Sequence, residues 1–139
     1  LAALRRRSIG YVFQDYNLIP ALTAAGDAWA DRAGGTSGAL WGIILRSIAD
    51  VLGDTERPTP TTLAHGVRQA SDSVRRTGGA EVGDKTMVDV LVPFTEALGQ
   101  QVGEGAELTA AWAAAADVAE QAARDTARLV PRMGRARPH

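Results

Sequence analysis

The chain has 139 residues, a formal net charge of −1 and no cysteine. That length suits one domain with a real core, and the balanced charge supplies no overall basic field for nucleic acid. Without thiols there are no disulfides, thiolate metal sites or cysteine nucleophiles.

The chain opens on Leu1 rather than Met, which fits a piece of a longer protein. Arg5-Arg6-Arg7 is followed by mixed sequence, not by the apolar stretch of a signal peptide. No apolar run reaches the ~20 residues of a membrane span, so a cytoplasmic location is expected. Ile9 to Gln14 reads as a short strand, because Tyr11, Val12 and Phe13 have strand character. Asp15-Tyr16-Asn17 and Pro20 read as a turn or loop.

Beyond that point the chain is alanine-rich and helically periodic. A helix is predicted from Ser37 to Leu52, with Leu40, Ile44, Ile48 and Val51 on one stripe. Trp41 and Leu45 widen the stripe, which predicts burial on more than one side. Gly53-Asp54 stops it. Arg57 to Pro60 is a loop, and Thr61 or Thr62 is the expected cap of a second helix running to Arg76. Leu63, Val67, Ala70 and Val74 form its apolar face, and Thr77-Gly78-Gly79 ends it.

A third helix is predicted from Asp84, as its cap, to Val102. Met87, Val90, Leu91, Phe94 and Leu98 make its stripe, and Pro93 lies inside it. A fourth runs from Glu107 to Leu129, lined by Leu108, Trp112, Ala115, Ala119 and Ala122. The fold class that follows is all-α, an antiparallel bundle joined by short loops.

Gly34-Gly35-Thr36-Ser37-Gly38 stands before a strongly helical run. A helix N-terminus carries free N–H groups and partial positive charge. Glycines let an anion approach, and a hydroxyl adds a donor, which suits phosphate. The same residues also suit an ordinary turn with an N-cap. No Gly-Lys-Ser/Thr follows, so this is not a Walker A loop.

Gly83-Asp84-Lys85-Thr86-Met87 is a second glycine-led helix start, with Asp89 one turn on. Asp84 or Thr86 suits a cap, Lys85 suits a phosphate or a carboxylate, and Asp89 reads as a solvated or cap-network carboxylate. Arg124, Arg128 and Arg132 fall at i, i+4 and i+8, with Arg135 beyond. They read as a solvated face near a helix C-terminus or as an anion clamp. His65 and His139 are the two histidines, and no His/Asp/Glu set has metal-ligand spacing.

Three blocks occur together: Gly34 to Gly42 (Gly-Gly-Thr-Ser-Gly-Ala-Leu-Trp-Gly), Gly83 to Asp89 with Val92-Pro93, and Gly134-Arg135-Ala136. In this order they resemble the L subunit of dihydroxyacetone kinase, also found as the C-terminal domain of single-chain ATP-dependent dihydroxyacetone kinases. The resemblance covers residues 26–139. It implies a helical barrel that binds ADP or ATP at one end. Gly35, Thr36, Ser37 and Gly38 would hold the phosphates, Gly78 and Met87 would line base and ribose, and Arg135 would contact the nucleotide. It also implies Mg²⁺, a K subunit or domain carrying dihydroxyacetone covalently on a histidine, and a phosphocarrier in the phosphotransferase-system version.

Two features depart from that family. The Asp-x-Asp-x-Asp cluster that holds Mg²⁺ is absent, and Asp27 and Asp31 stand in a different context. The Gly-Glu-Arg-Ser stretch after the third block is also absent. The expectation is an incomplete barrel, inactive as a kinase alone, whose Trp41 and Leu45 side invites self-association. Residues 1–25 resemble instead the Q-loop region of an ABC transporter ATPase, with Gln14 as the Q-loop glutamine. The Walker A lysine, signature and Walker B motifs of that family are missing. The expected division is therefore 1–25 and 26–139, joined near Leu22 to Gly26.

Overall fold

Residues 18–53 and 58–133 are described by the structure, a computed structural model. Their regular elements are α1 (Leu18–Ala33), α2 (Gly35–Leu52), α3 (Pro60–Gly78), α4 (Val88–Gly103) and α5 (Leu108–Asp125), with a 3₁₀ turn at Thr126–Arg128. No strand occurs among the described residues, and the expected all-α class is the one found. The strand read at Ile9 to Gln14 and the turn at Asp15 to Asn17 fall outside the described residues.

Helix α1 is a correction to the sequence reading, which placed Pro20 in a loop. Pro20 occupies the first turn of α1 instead. A proline is tolerated there because first-turn N–H groups have no intrahelical acceptor anyway. The helix packs antiparallel on α2 through very small residues. A Cβ added to Gly42 would stand 3.1 Å from the Gly26 carbonyl oxygen and 3.2 Å from the Ala30 Cβ. A Cβ added to Gly26 would meet the Gly42 oxygen at 3.1 Å. The two backbones therefore approach as closely as side-chain-free positions permit. Asp27 pairs with Arg46 across the same crossing, an exposed pair of small energetic weight.

The α2 stripe behaves as its spacing predicts on one side. Ile44, Ala49 and Leu52 are buried, and Leu40, Ile43 and Ile48 pack against the buried clusters. Trp41 departs from it: it is 42% exposed and leans on Trp29 of α1, ring centroids 6.0 Å apart.

Helix α3 starts one cap earlier than predicted. Thr59, not Thr61 or Thr62, is the N-cap, and the Thr59 and Thr62 side chains each accept from the other's backbone N–H at 3.1 and 2.8 Å. Pro60 follows in the first turn, where its missing N–H costs nothing. Helix α4 starts at Val88, four residues after the predicted Asp84, because residues 84–87 are spent on a turn. Helix α5 ends at Asp125 rather than Leu129.

Neighbours in sequence pack as antiparallel neighbours in space. Gly66 of α3 lies against Ile48 and Val51 of α2, and Gly99 of α4 lies beside Arg68 of α3. Val67, Leu98, Ala111 and Ala115 form a buried cluster linking α3, α4 and α5. Phe94 and Trp112 close it in an edge-to-face pair, centroids 5.0 Å apart.

The small-residue crossing yields a stability prediction. Gly42→Leu forces α1 off α2 and lowers unfolding free energy by about 2–3 kcal/mol. Gly103→Ala, where an added Cβ meets nothing within 4 Å, stays within about 1 kcal/mol of wild type, toward greater stability. Urea denaturation of the two variants checks the contrast.

Candidate functional site

Antiparallel alternation gathers four chain ends at one end of the bundle: the start of α2, the end of α3, the start of α4 and the segment after α5. A Cβ at Gly78 would lie 3.9 Å from the Leu40 side chain. Leu40, Met87 and Met133 pack against one buried cluster of Ile44, Ala70, Val74, Ala80 and Val88. Leu40 of the first sequence block and Met87 of the second thus share one cluster, with Gly78 beside Leu40.

At the start of α2, Gly34 and Gly35 have φ of 61° and 63°. That left-handed backbone favours glycine. Space is not the constraint, since an added Cβ at either would meet nothing within 4 Å. No side chain caps α2, and its first turn holds no acidic residue. Thr36 and Ser37 follow, both exposed. The turn therefore offers N–H groups and hydroxyls to solvent with no internal carboxylate competing for them. Gly38 differs. It is buried, and a Cβ there would stand 3.3 Å from the Ala33 Cβ, so it serves packing against α1.

The turn from Ala80 to Met87 is held by carboxylates. Asp89, in the first turn of α4, is 6% exposed. Its two oxygens accept from the backbone N–H of Gly83 at 2.6 Å and of Thr86 at 2.7 Å. The solvated alternative for Asp89 is thereby corrected: the carboxylate is buried and fully used by the turn. Asp84 accepts from the Glu81 N–H at 2.9 Å. It folds the turn rather than capping α4, whose N-cap position is Met87. The signal in the sequence was the glycine-led Gly83 with a first-turn aspartate six residues on, a spacing that lets one side chain reach back to two amides.

Lys85 extends away from that turn and donates to the Leu129 carbonyl at 3.1 Å. The Arg132 N–H donates to the Asp84 carbonyl at 3.1 Å, and its guanidinium lies 4.0 Å from the Asp84 carboxylate. Arg132 is therefore beyond the helix and not on a shared face with Arg124 and Arg128. Arg124 pairs with Glu120 at 2.6 Å and Arg128 with Asp125 at 3.7 Å, exposed pairs on their own helix end. Arg135 lies outside the described residues. His65 is exposed on α3.

Among the described residues no group of three or more His, Asp or Glu side chains is placed to hold a metal ion. No described helix is long and apolar enough to cross a membrane.

A family model described as the DAK2 domain matches residues 6–139. That span takes in most of the N-terminal segment and lends no support to its ABC-ATPase resemblance. The chain is 56% identical over 117 residues to an L-erythrulose kinase of Pectobacterium atrosepticum, covering 84% of this chain and 20% of that protein. It is equally similar, over the same length and shares, to a D-erythrulose kinase of Mycolicibacterium smegmatis. Against the ADP-binding subunit DhaL of the PEP-dependent dihydroxyacetone kinase of Escherichia coli it is 32% identical over 136 residues, 98% of this chain and 60% of that one. The chain thus spans about a fifth of the length of the two erythrulose kinases.

Asp89→Ala strands two turn amides at once. It is expected to cost about 2–4 kcal/mol of unfolding free energy. Asp89→Asn keeps one acceptor oxygen and costs less. Chemical denaturation followed by circular dichroism orders the two.

Proposed function

The chain belongs to the DAK2 domain family, and from that premise we propose that it is the nucleotide-binding domain of a ketose kinase. On this reading the phosphates of ADP or ATP rest on the first turn of α2, against the N–H groups of Gly35 to Gly38 and the hydroxyls of Thr36 and Ser37. Gly78 and Met87 face the nucleoside, and Arg135 closes on the nucleotide. One observation carries the reading: the uncapped, acid-free start of α2 stands at the same end of the bundle as Gly78 and Met87. An anion there gains from the helix dipole and from amides that need no reorganisation.

Two relatives named for erythrulose favour a four-carbon ketose as the phosphoryl acceptor over dihydroxyacetone. The acceptor would be held by a separate K-type domain or subunit. A phosphocarrier would enter only if the donor system were of the PEP-dependent kind. Phosphoryl transfer depends on neutralising charge and positioning the reacting groups. The family's aspartate cluster is not in this sequence, so the 139-residue chain is expected to bind nucleotide without transferring its phosphoryl group. The exposed Trp29 and Trp41 pair favours a second reading, a helical interaction module that binds no nucleotide.

Ser37→Asp separates these readings. A carboxylate in the first turn stabilises α2 by about 0.3–1 kcal/mol through the dipole. The same charge repels phosphate, so ADP affinity by calorimetry is expected to fall roughly tenfold or more. A variant that is more stable but binds poorly supports the nucleotide site. Absence of ADP binding in the wild-type chain supports the interaction module.

A further inference from the structure

Lys85 stands out twice. It is the only non-glycine among the described residues with a positive φ, 60°, a conformation that costs a side-chain-bearing residue energy. It is also the chain's single lysine, and its ammonium is spent on a backbone carbonyl 44 residues away, Leu129. The neighbouring Asp84 receives the Arg132 N–H and faces its guanidinium. The turn therefore grips residues 129–132 at two points, one from a side chain and one from the backbone. Its other side is fixed to α4 by Asp89. Met133, one residue past the grip, packs on the same cluster as Met87 and Leu40.

We propose that Lys85 is a positioning residue for the nucleotide end: it does not bind phosphate itself but holds the segment after α5 in place beside Met87. This rests on the nucleotide-binding reading above. From this left-handed backbone the lysine reaches the Leu129 carbonyl. A direct phosphate ligand would leave the 129–132 segment indifferent to its loss. A positioning residue would not.

The test uses the whole chain with Lys85→Met and Lys85→Arg. Two readouts are taken: ADP affinity by calorimetry, and the rate of trypsin cleavage after Arg128 and Arg132 without nucleotide. Loss of one such bond is expected to raise cleavage and lower ADP affinity, each by roughly three- to tenfold, in Lys85→Met. Lys85→Arg, which can still donate to the Leu129 carbonyl, restores both. Weaker ADP binding with unchanged cleavage would make Lys85 a direct phosphate ligand and overturn the proposal. Faster cleavage with unchanged affinity would overturn it too. If the wild-type chain binds no ADP, the nucleotide reading fails first, and the cleavage rates still show whether Lys85 holds the segment.

Discussion

A single buried carboxylate organises the end of the bundle where the candidate site lies. Asp89 uses both oxygens on the amides of Gly83 and Thr86. That fixes a turn which would otherwise present unpaired N–H groups at a partly buried place. Once the turn is fixed, Asp84 and Lys85 have defined positions from which to take hold of residues 129–132. Met87 and Met133 then settle on the cluster that Leu40 also joins. The start of α2 is brought to the same place by the packing of α2 on α3, where Leu40 and Ile44 meet Ala70, Val74 and Gly78. Two unrelated devices, a carboxylate clamp and an apolar cluster shared by α2, α3 and α4, converge on one surface.

This arrangement leaves a division of labour among the glycines and polar residues of the two motifs. Gly34 and Gly35 are demanded by backbone conformation, Gly38 by packing. Asp84 and Asp89 are consumed by the turn. Thr36 and Ser37 alone among the motif hydroxyls are exposed at a helix start with no capping duty. That separation is why the start of α2, and not the Gly83 turn, is the better place for an anion.

Much of the fold was legible in the sequence because its helices bury one face each. Ile44, Val67, Leu98 and Ala115, one from each predicted stripe, are all buried. Helix α1 was not legible. Its positions against α2 are Gly26 and Ala30, which carry no hydrophobic signal, Leu22 alone among its described side chains packs on a buried cluster, and Pro20 imitates a turn. The boundaries that moved did so where capping residues compete: Thr59 against Thr61 and Thr62, and Asp84 against the turn it actually folds. The candidate residues were legible as motifs, but their meeting was not. Gly78 and Met87 come to the α2 start only through the antiparallel order of α2, α3 and α4. The buried role of Asp89 and the reach of Lys85 to Leu129 are tertiary facts that no local pattern announces.

The central claim is that an anion-bearing nucleotide docks on the α2 start and its neighbours at this one end. Backbone amide shifts in a ¹⁵N-labelled chain titrated with ADP test it most directly. The amides of Gly35 to Gly38 and of Gly83 to Met87 are expected to move together with one affinity, while those of Leu52 and Leu63 at the opposite end stay still. Shifts centred on the opposite end, or on neither, would contradict it.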